Sequence, residues 1–294
     1  MFNYPIVKVK TSDGLELGGM LFEPEDKSKK IIKIHIPGDN GSFWWSDYYP
    51  YLIKSSLEQN IAFLSGNNRG SAVFANSNDD SISFGVAAEL FSDCVKDIDS
   101  WIKFALEKGY QKIILEGHSR GTEKLVYYLN HGQYIGKVVG VILMGFSDAI
   151  GTQLKYEQKI GHNFIDEARK MVVEGKGDHL LSDLRAFAGE LPMTANTYLD
   201  NMAPDSANSK AIPLRQGKDL KYFQNIKVPI LGMIGDQFEY TIIPIAEAVE
   251  LLKKENTRCE AYQIKGVDHC FTGKEKELTK IISNFTQKRI LSKL

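Results

Sequence analysis

The chain has 294 residues, enough for one large α/β domain or two domains of average size. Hydrophobic residues make up 43% and charged residues 25%, the proportions of a globular enzyme, and no apolar stretch approaches the ~20 residues that cross a bilayer. The net charge of −1, with lysines spread along the chain, argues against a nucleic-acid or acidic-membrane partner.

The cysteines and residues 1–5 indicate the cellular compartment in which the protein is expected. Cys94, Cys259 and Cys270 are an odd and widely spaced set without a C-x-x-C motif, which fits a reducing compartment better than a disulfide framework. Residues 1–5 lack both the basic and the apolar region of a secretory signal. We therefore expect a cytoplasmic protein.

Strands and helices alternate in the predicted order of elements. The apolar and β-branched runs predict strands at 6–10, 15–22, 30–36, 61–64, 112–115, 138–144, 229–234 and 259–264. Helical spacing of apolar residues, or helix-favouring composition, predicts helices at 44–56, 89–106, 123–129, 244–252 and 277–285. Alternation from residue 30 onward predicts an α/β fold with a mostly parallel sheet and helices on both faces.

One long segment interrupts this alternation. About eighty residues between the strand ending at 144 and the strand beginning at 229 contain no clear strand, too many for a structureless loop in a compact domain. Helical patterns occur instead at 164–173 and 179–188. We interpret residues 147–227 as a helical cap inserted into a core formed by 1–146 and 228–294. Apolar residues of this segment are spaced to face the substrate pocket from helices, although packing within the cap is an equally ordinary interpretation; they include Leu184, Phe187, Met193, Tyr198 and Met202.

A short motif in the middle of the chain predicts a nucleophile. Residues 117–121 read Gly-His-Ser-Arg-Gly and lie between a predicted strand and a predicted helix. In that context the glycines allow strand and helix backbones to approach closely, and the serine lies on the sharp turn between them. The helix dipole favours negative charge that develops there. The sequence therefore predicts Ser119 as a catalytic nucleophile.

A serine hydroxyl needs a base within hydrogen-bond reach, and the base needs an orienting group. Of the six histidines, His269 alone lies in a loop after the last predicted strand, at the carboxyl edge of the sheet, and we predict it as the base. The turn after the preceding strand carries two carboxylates, Asp236 and Glu239. Aligning this turn on Pro244, where a helix begins, favours Glu239, with Asp236 and then Asp148 as the alternatives.

Acyl transfer also needs hydrogen-bond donors for the tetrahedral oxyanion. The backbone N–H of Arg120, directly after the nucleophile, is one candidate, and the N–H of Asp39 in the glycine-rich loop 37–41 is the other. This loop is no phosphate loop, because G-x-G-x-x-G is absent and no Gly-Lys-Ser/Thr follows. The sequence has no HExxH motif and no clustered His/Cys ligands, so we expect neither a metal nor a cofactor.

With these residues assigned, the chain resembles the α/β-hydrolase superfamily over nearly its whole length. The resemblance rests on the order of serine, acid and histidine and on the Asn68-Arg69-Gly70 turn after a strand. It implies an eight-stranded sheet, a cap after the sixth strand, and hydrolysis of an ester or a close relative in a small-molecule acyl substrate. A serine at the elbow disfavours haloalkane dehalogenase and epoxide hydrolase chemistry. Two positions depart from the family pattern: Phe238 stands where the acid is usual, and Pro37-Gly38 replaces a His-Gly pair.

Three classes of function remain after this comparison. The leading hypothesis is a serine carboxylesterase that works through an acyl-enzyme, and a thioesterase, lactonase or amidase would use the same residues. A ligand-binding member of the fold without turnover is the second, and Phe238 is the feature that favours it. The third is partner docking through the aromatic residues at 43–49, although such a cluster more often forms core packing and pocket wall.

Overall fold

The computed structural model describes residues 5–26, 28, 30–78 and 81–294. Residues 1–4, which belong to the segment predicted to lack a secretory signal, lie outside the described residues. The strands are β1 (Ile6–Lys10), β2 (Glu16–Phe22), β3 (Ile31–Ile36), β4 (Ala62–Gly66), β5 (Ala75–Asn76), β6 (Ser83–Phe84), β7 (Lys112–His118), β8 (Val138–Met144), β9 (Ile230–Ile234) and β10 (Cys259–Gln263). The helices are α1 (Tyr49–Leu57), α2 (Cys94–Glu107), α3 (Arg120–His131), α4 (Ala149–Ile160), α5 (Ile165–Val173), α6 (Ala195–Met202), α7 (Ala207–Lys210), α8 (Lys221–Gln224), α9 (Ile245–Glu255) and α10 (Glu275–Phe285).

The predicted fold class is confirmed. Over the described ranges, eight strands form one sheet in the order β1-β2-β4-β3-β7-β8-β9-β10. Only the pairings of β2, with β1 and with β4, are antiparallel, and every other neighbouring pair in this sheet is parallel. The parallel strands therefore end at one edge of the sheet, which is where ligand sites of open α/β folds lie.

Helices cover both faces of the sheet, so its central strands are buried. One buried cluster packs side chains of α2, α3 and α9 against one face, and a second packs α1 and α10 against the other. All residues of β3, β4 and β9 are buried, as expected for strands covered on both sides. Among the residues that the structure describes, no helix is both long and apolar enough to span a bilayer.

A buried ionic group lies between the two central strands. The Lys33 ammonium is 3.1 Å from one Glu116 oxygen, and His35 Nδ1 is 3.0 Å from the other. All three side chains are almost fully buried. Breaking such a group by removing one partner is strongly destabilising, since an unpaired buried charge remains. Because its side chain is fully buried and bonded to Glu116, His35 belongs to the interior of the sheet.

About half of residues 147–227 is helical, and residues 164–198 carry a buried cluster of their own. Helices α4 to α8 lie between β8 and β9, and an apolar cluster separate from those on the sheet packs within this insertion. The predicted helix at 179–188 is wrong. Leu180 and Phe187 form isolated bridges instead, because nearby side chains take the backbone donors: Asp183 accepts from the Arg185 N–H and Glu167 from the Ser182 N–H.

The predicted helix at 44–56 begins later than expected, at Tyr49. Pro50 explains the boundary, because a proline has no N–H to donate and is tolerated only in the first turn of a helix. Residues 42–48 therefore form a loop, in which the Phe43 N–H donates to the Asn67 side chain. This loop lies beside the carboxyl ends of the central strands.

Candidate active site

Ser119 lies on a sharp and strained turn between β7 and α3. Its φ of 54° and ψ of −128° place a non-glycine residue in a left-handed conformation, of the kind that persists at functional sites. A Cβ on Gly121 would lie 2.3 Å from the Ile36 carbonyl oxygen, and one on Gly117 would lie 2.9 Å from the Gly121 carbonyl. The motif therefore needs glycine at both positions, as the sequence predicts.

His269 and Glu239 form a hydrogen-bonded pair. His269 Nδ1 is 2.7 Å from Glu239 Oε2, and the other oxygen, Oε1, accepts the Gly235 N–H at 2.8 Å. A Cβ at Gly235 would lie 2.5 Å from Oε1, so only glycine leaves room for this carboxylate. A carboxylate beside Nδ1 favours the tautomer with its proton there. The opposite nitrogen, Nε2, is buried and has no hydrogen-bond partner among the described residues.

The two alternative carboxylates have other partners. Asp236 accepts the Gly266 N–H at 2.8 Å, and Asp148 forms an ion pair with Arg215 at 2.6 Å. Phe238, at the position usual for the acid, is 89% exposed and has a φ of 59°. The carboxylate that meets His269 is that of the next residue along the chain, Glu239.

The two expected oxyanion donors lie beside the serine. A Cβ on Gly38 would lie 2.6 Å from Ser119 Cβ, so the loop after β3 is in contact with the elbow. The Gly38 carbonyl accepts the Gly41 N–H at 3.1 Å. Because N–H and C=O point in opposite directions across a trans peptide, the Asp39 N–H points away from Gly41. Neither this N–H nor that of Arg120 has an acceptor within the described ranges. Their role as oxyanion donors stays a prediction.

A buried polar chain holds this loop. Asn68 Nδ2 donates to the Pro37 carbonyl at 2.9 Å, and Asn68 Oδ1 accepts from the Lys124 ammonium at 2.8 Å. Lys124 is in turn paired with Glu89 at 2.8 Å. The Asn68 turn is the one singled out in the sequence, but nothing in the sequence indicated Lys124 or Glu89, which lie far apart along the chain.

The Arg120 side chain joins the elbow to the insertion. Its guanidinium donates to Glu123 at 2.9 Å, to Asn208 at 2.8 Å and to Asn201, and the last two residues belong to the insertion. Glu123 also accepts from the Ser147 hydroxyl at 2.8 Å. Burial raises the pKa of Glu123 to about 7, although the Arg120 charge acts in the opposite direction.

Ser119 and His269 line one cavity of about 290 Å³. The loop between β3 and α1, two separate parts of the insertion and the turn that carries Glu239 contribute most of the rest of its wall. The residues that line the cavity include Asp39, Arg120, Trp45, Thr152, Phe187, Leu191 and Tyr240. Apolar surface predominates in this wall, as is typical of small-molecule sites.

The insertion contributes fewer apolar residues to this cavity than the sequence predicts. Phe187 lines it as expected. Leu184 is 62% exposed instead, while Met193, Tyr198 and Met202 pack inside the cluster of the insertion. Helical spacing identifies a buried face but not the neighbour that covers it, which explains these errors.

The aromatic residues at 43–49 divide between three environments. Tyr48 and Tyr49 are buried against the sheet, and Trp45 lines the cavity. Trp44 is 61% exposed. Core packing therefore describes the two tyrosines, whereas Trp44 and Trp45, which is 65% exposed, both reach the surface, Trp45 at the rim of the cavity.

Comparison with protein families gives a match over residues 77–290 to the family described as "Protein of unknown function (DUF1749)". The chain belongs to this family. No curated protein matches the sequence significantly. The family description itself assigns no activity, so the chemistry must be argued from the site.

Solved structures similar to this chain include several esterases. Est1E from Butyrivibrio proteoclasticus aligns with a TM-score of 0.65 and 16% identity over 97% of this chain and 98% of its own. A carboxyl esterase from Bacillus coagulans in complex with glycerol gives 0.68 and 16% over 99% and 100%. The Pyrococcus furiosus esterase Pf2001 gives 0.59 and 16% over 98% and 92%. At this identity the likeness concerns the fold, and the α/β-hydrolase fold that the sequence resemblance implied is confirmed.

We expect Glu123 to make the free energy of unfolding fall as pH rises from about 4.5 to about 7. A carboxyl group whose pKa is raised on folding, here from 4.5 to about 7, binds its proton more tightly in the folded chain. Its contribution is therefore complete below the unfolded value and is lost as pH rises through the folded value. Urea unfolding of the wild type and of Glu123→Gln across this range measures the effect. The amide does not titrate, so parallel pH profiles for the two proteins would contradict the prediction.

Proposed function

We propose that the protein is a serine-dependent hydrolase that cleaves a carboxylic ester, or a related acyl bond, in a small molecule. The observation that carries the proposal is the His269–Glu239 hydrogen bond, which leaves His269 Nε2 unpartnered among the described residues, at the cavity that Ser119 lines. The fold shared with esterases of known structure supports it.

In the first half of this reaction the serine attacks the substrate. Ser119 Oγ transfers its proton to His269 Nε2 as it bonds to the acyl carbon, and Glu239 stabilises the imidazolium that results. The N–H groups of Arg120 and Asp39 would hold the oxyanion of the tetrahedral intermediate. Collapse of the intermediate breaks the bond to the alcohol, which leaves with the proton from His269 and leaves the acyl group on Ser119.

In the second half, water replaces the alcohol. His269 takes a proton from the water as its oxygen bonds to the acyl carbon, and a second tetrahedral intermediate forms at the same donors. When this collapses, Ser119 recovers its proton from His269 and the carboxylic acid is released. No step requires a metal or a cofactor.

The insertion, residues 147–227, would act as the cap that selects the acyl group, because Thr152, Phe187 and Leu191 bring it to the cavity wall. Esters, thioesters, lactones and amides could all react by this chemistry, and an ester and thioester panel distinguishes them. One similar structure holds ferulic acid bound to Est1E, and aromatic rings such as Trp45 also line the cavity here. The panel therefore includes an arylalkenoyl ester.

A non-catalytic ligand-binding protein is the alternative of a different class. Its support in the sequence is Phe238, which stands at the usual position of the acid. Because the next residue, Glu239, meets His269, the substitution by phenylalanine removes no contact that the mechanism needs. This geometry favours the catalytic proposal.

We also propose that the protein works in the cytoplasm. Cys94, Cys259 and Cys270 are all free thiols, the first two buried and the third exposed. Free thiols persist in a reducing compartment, and an exposed one is liable to oxidation outside it.

Ser119→Ala should fold normally and lose nearly all turnover, because only the nucleophile is removed. Hydrolysis of activated short-chain esters, including the initial burst of released chromophore, measures the effect. Ser182→Ala, an exposed serine of the insertion away from the cavity, is the matched control and should behave as the wild type. A fluorophosphonate probe should label Ser119 alone. A residual rate within about tenfold of the wild type would contradict the proposal.

Glu239→Gln should reduce kcat by roughly three to four decades at nearly constant KM, because the amide no longer stabilises the imidazolium. Asp236→Asn is the matched control, and since the Asp236 carboxylate accepts only the Gly266 backbone N–H within the described part of the chain, it should cost at most about one decade. The reversed result would assign the acid to Asp236. If neither variant loses activity while Ser119 and His269 remain essential, the enzyme works as a catalytic dyad.

Phe187→Ala should change the ratio of kcat/KM between long and short acyl chains, because the substitution enlarges the cavity at its wall. Met193→Ala is the matched control, as Met193 is buried in the same insertion but does not line the cavity. It should lower the unfolding free energy by about 2–5 kcal/mol and leave the ratio unchanged. An unchanged ratio in Phe187→Ala would show that Phe187 only packs.

A further inference from the structure

The histidine inside the elbow motif contacts the loop of the predicted base. His118 Nε2 is 2.8 Å from the backbone carbonyl oxygen of His269, and the centroids of the two rings are 4.8 Å apart. A carbonyl oxygen only accepts, so the hydrogen of this bond is on His118 Nε2. The mechanism above gives His118 no role, although it adjoins both Ser119 in sequence and His269 in space.

His118 is a neutral donor. Burial, and then the nearby charge of His269 when that ring is protonated, hold the pKa of His118 well below its ordinary value. A neutral ring with its proton on Nε2 can keep donating throughout the working pH range. It also places no fixed positive charge beside His269, which must gain and lose a proton during turnover.

The hydrogen bond from His118 is one of two that hold the peptide unit after His269 in place. The peptide between His269 and Cys270 is anchored at its carbonyl by His118, and at its N–H by Asp268 Oδ1 at 3.1 Å. Because a peptide unit is planar, two bonds on opposite edges fix its orientation. That plane begins at the α-carbon from which the imidazole of His269 extends.

Glycine at position 145 leaves space for both rings. A Cβ there would lie 2.9 Å from His269 Cε1 and 3.3 Å from His118 Nε2. The rings therefore share a site just beyond the end of β8, where His269 also meets the edge of the Tyr240 ring at 4.7 Å between centroids. His118 supplies the hydrogen bond to the His269 backbone in this packing.

We propose that His118 is a positioning residue, whose Nε2–H holds the His269–Cys270 peptide so that the His269 ring presents Nε2 to Ser119. The inference rests on the proposed function for its kinetic consequence but not for the contact itself. The elbow motif would then carry both the nucleophile and the group that orients the base.

The kinetic test compares two substitutions at this position. His118→Phe keeps a ring of similar size and removes the donor, and we expect kcat to fall about 100-fold with KM little changed, as for a misplacement of about 1 Å. His118→Gln places an amide N–H near the position of Nε2 and should restore kcat to within about fivefold of the wild type. His179→Phe, a surface histidine of the insertion, is the control and should have no effect. Equal losses in the Phe and Gln variants, or no loss in the Phe variant, would overturn the proposal.

A second measurement needs no substrate. The proton between His269 Nδ1 and Glu239 should give a downfield resonance in proton NMR, which Glu239→Gln removes and so assigns. We expect it in the wild type and in His118→Gln, and shifted or lost in His118→Phe; an unchanged resonance in the Phe variant would count against the proposal. If His118→Phe does not fold, His118→Met replaces it. If the wild type and Ser119→Ala hydrolyse the panel equally, the proposed function fails, while the NMR comparison still decides the role of His118.

Discussion

The contact between backbones at the serine turn is the constraint on which the site depends. The Ile36 carbonyl at the end of β3 lies where a side chain on Gly121 would be, and Gly117 near the end of β7 is also crowded, though less so. Because β3, β7 and α3 meet so closely, the loop after β3 is forced against Ser119. Ser119 and the candidate oxyanion donors are therefore brought together by packing that a single methyl group would prevent.

The parts of the site that depend on short stretches of chain could be predicted from the sequence. The strand, the glycines and the helix around Ser119 follow one another within about twenty residues, and local pattern specifies them. The pairing of His269 with Glu239 was harder to predict, since Phe238 stands at the position usual for the acid and has a positive φ. A phenylalanine does not favour that conformation, so composition gave no sign of it, and only the position of the following helix favoured the carboxylate that contacts His269.

The remaining features depend on contacts between distant segments, which periodicity does not encode. Lys124 and Glu89 meet Asn68 from two other parts of the chain. His118 reaches a carbonyl 151 residues away. The apolar residues of the insertion were expected at the cavity, but Met202 packs within the insertion instead. In each case the residue type indicated whether the side chain would be buried or polar. Which other residue it contacts depends on the tertiary fold.

The side chain of Arg120 has a consequence for how this family could diversify. Arg120 lies directly after Ser119, and its guanidinium donates hydrogen bonds to Asn201 and Asn208 of the insertion. An insertion transplanted from a relative would have to supply equivalent acceptors, or a guanidinium would be left buried without them. Exchange of whole insertions is therefore restricted to versions that keep this junction, and new specificities should arise more readily by point substitutions on the cavity wall.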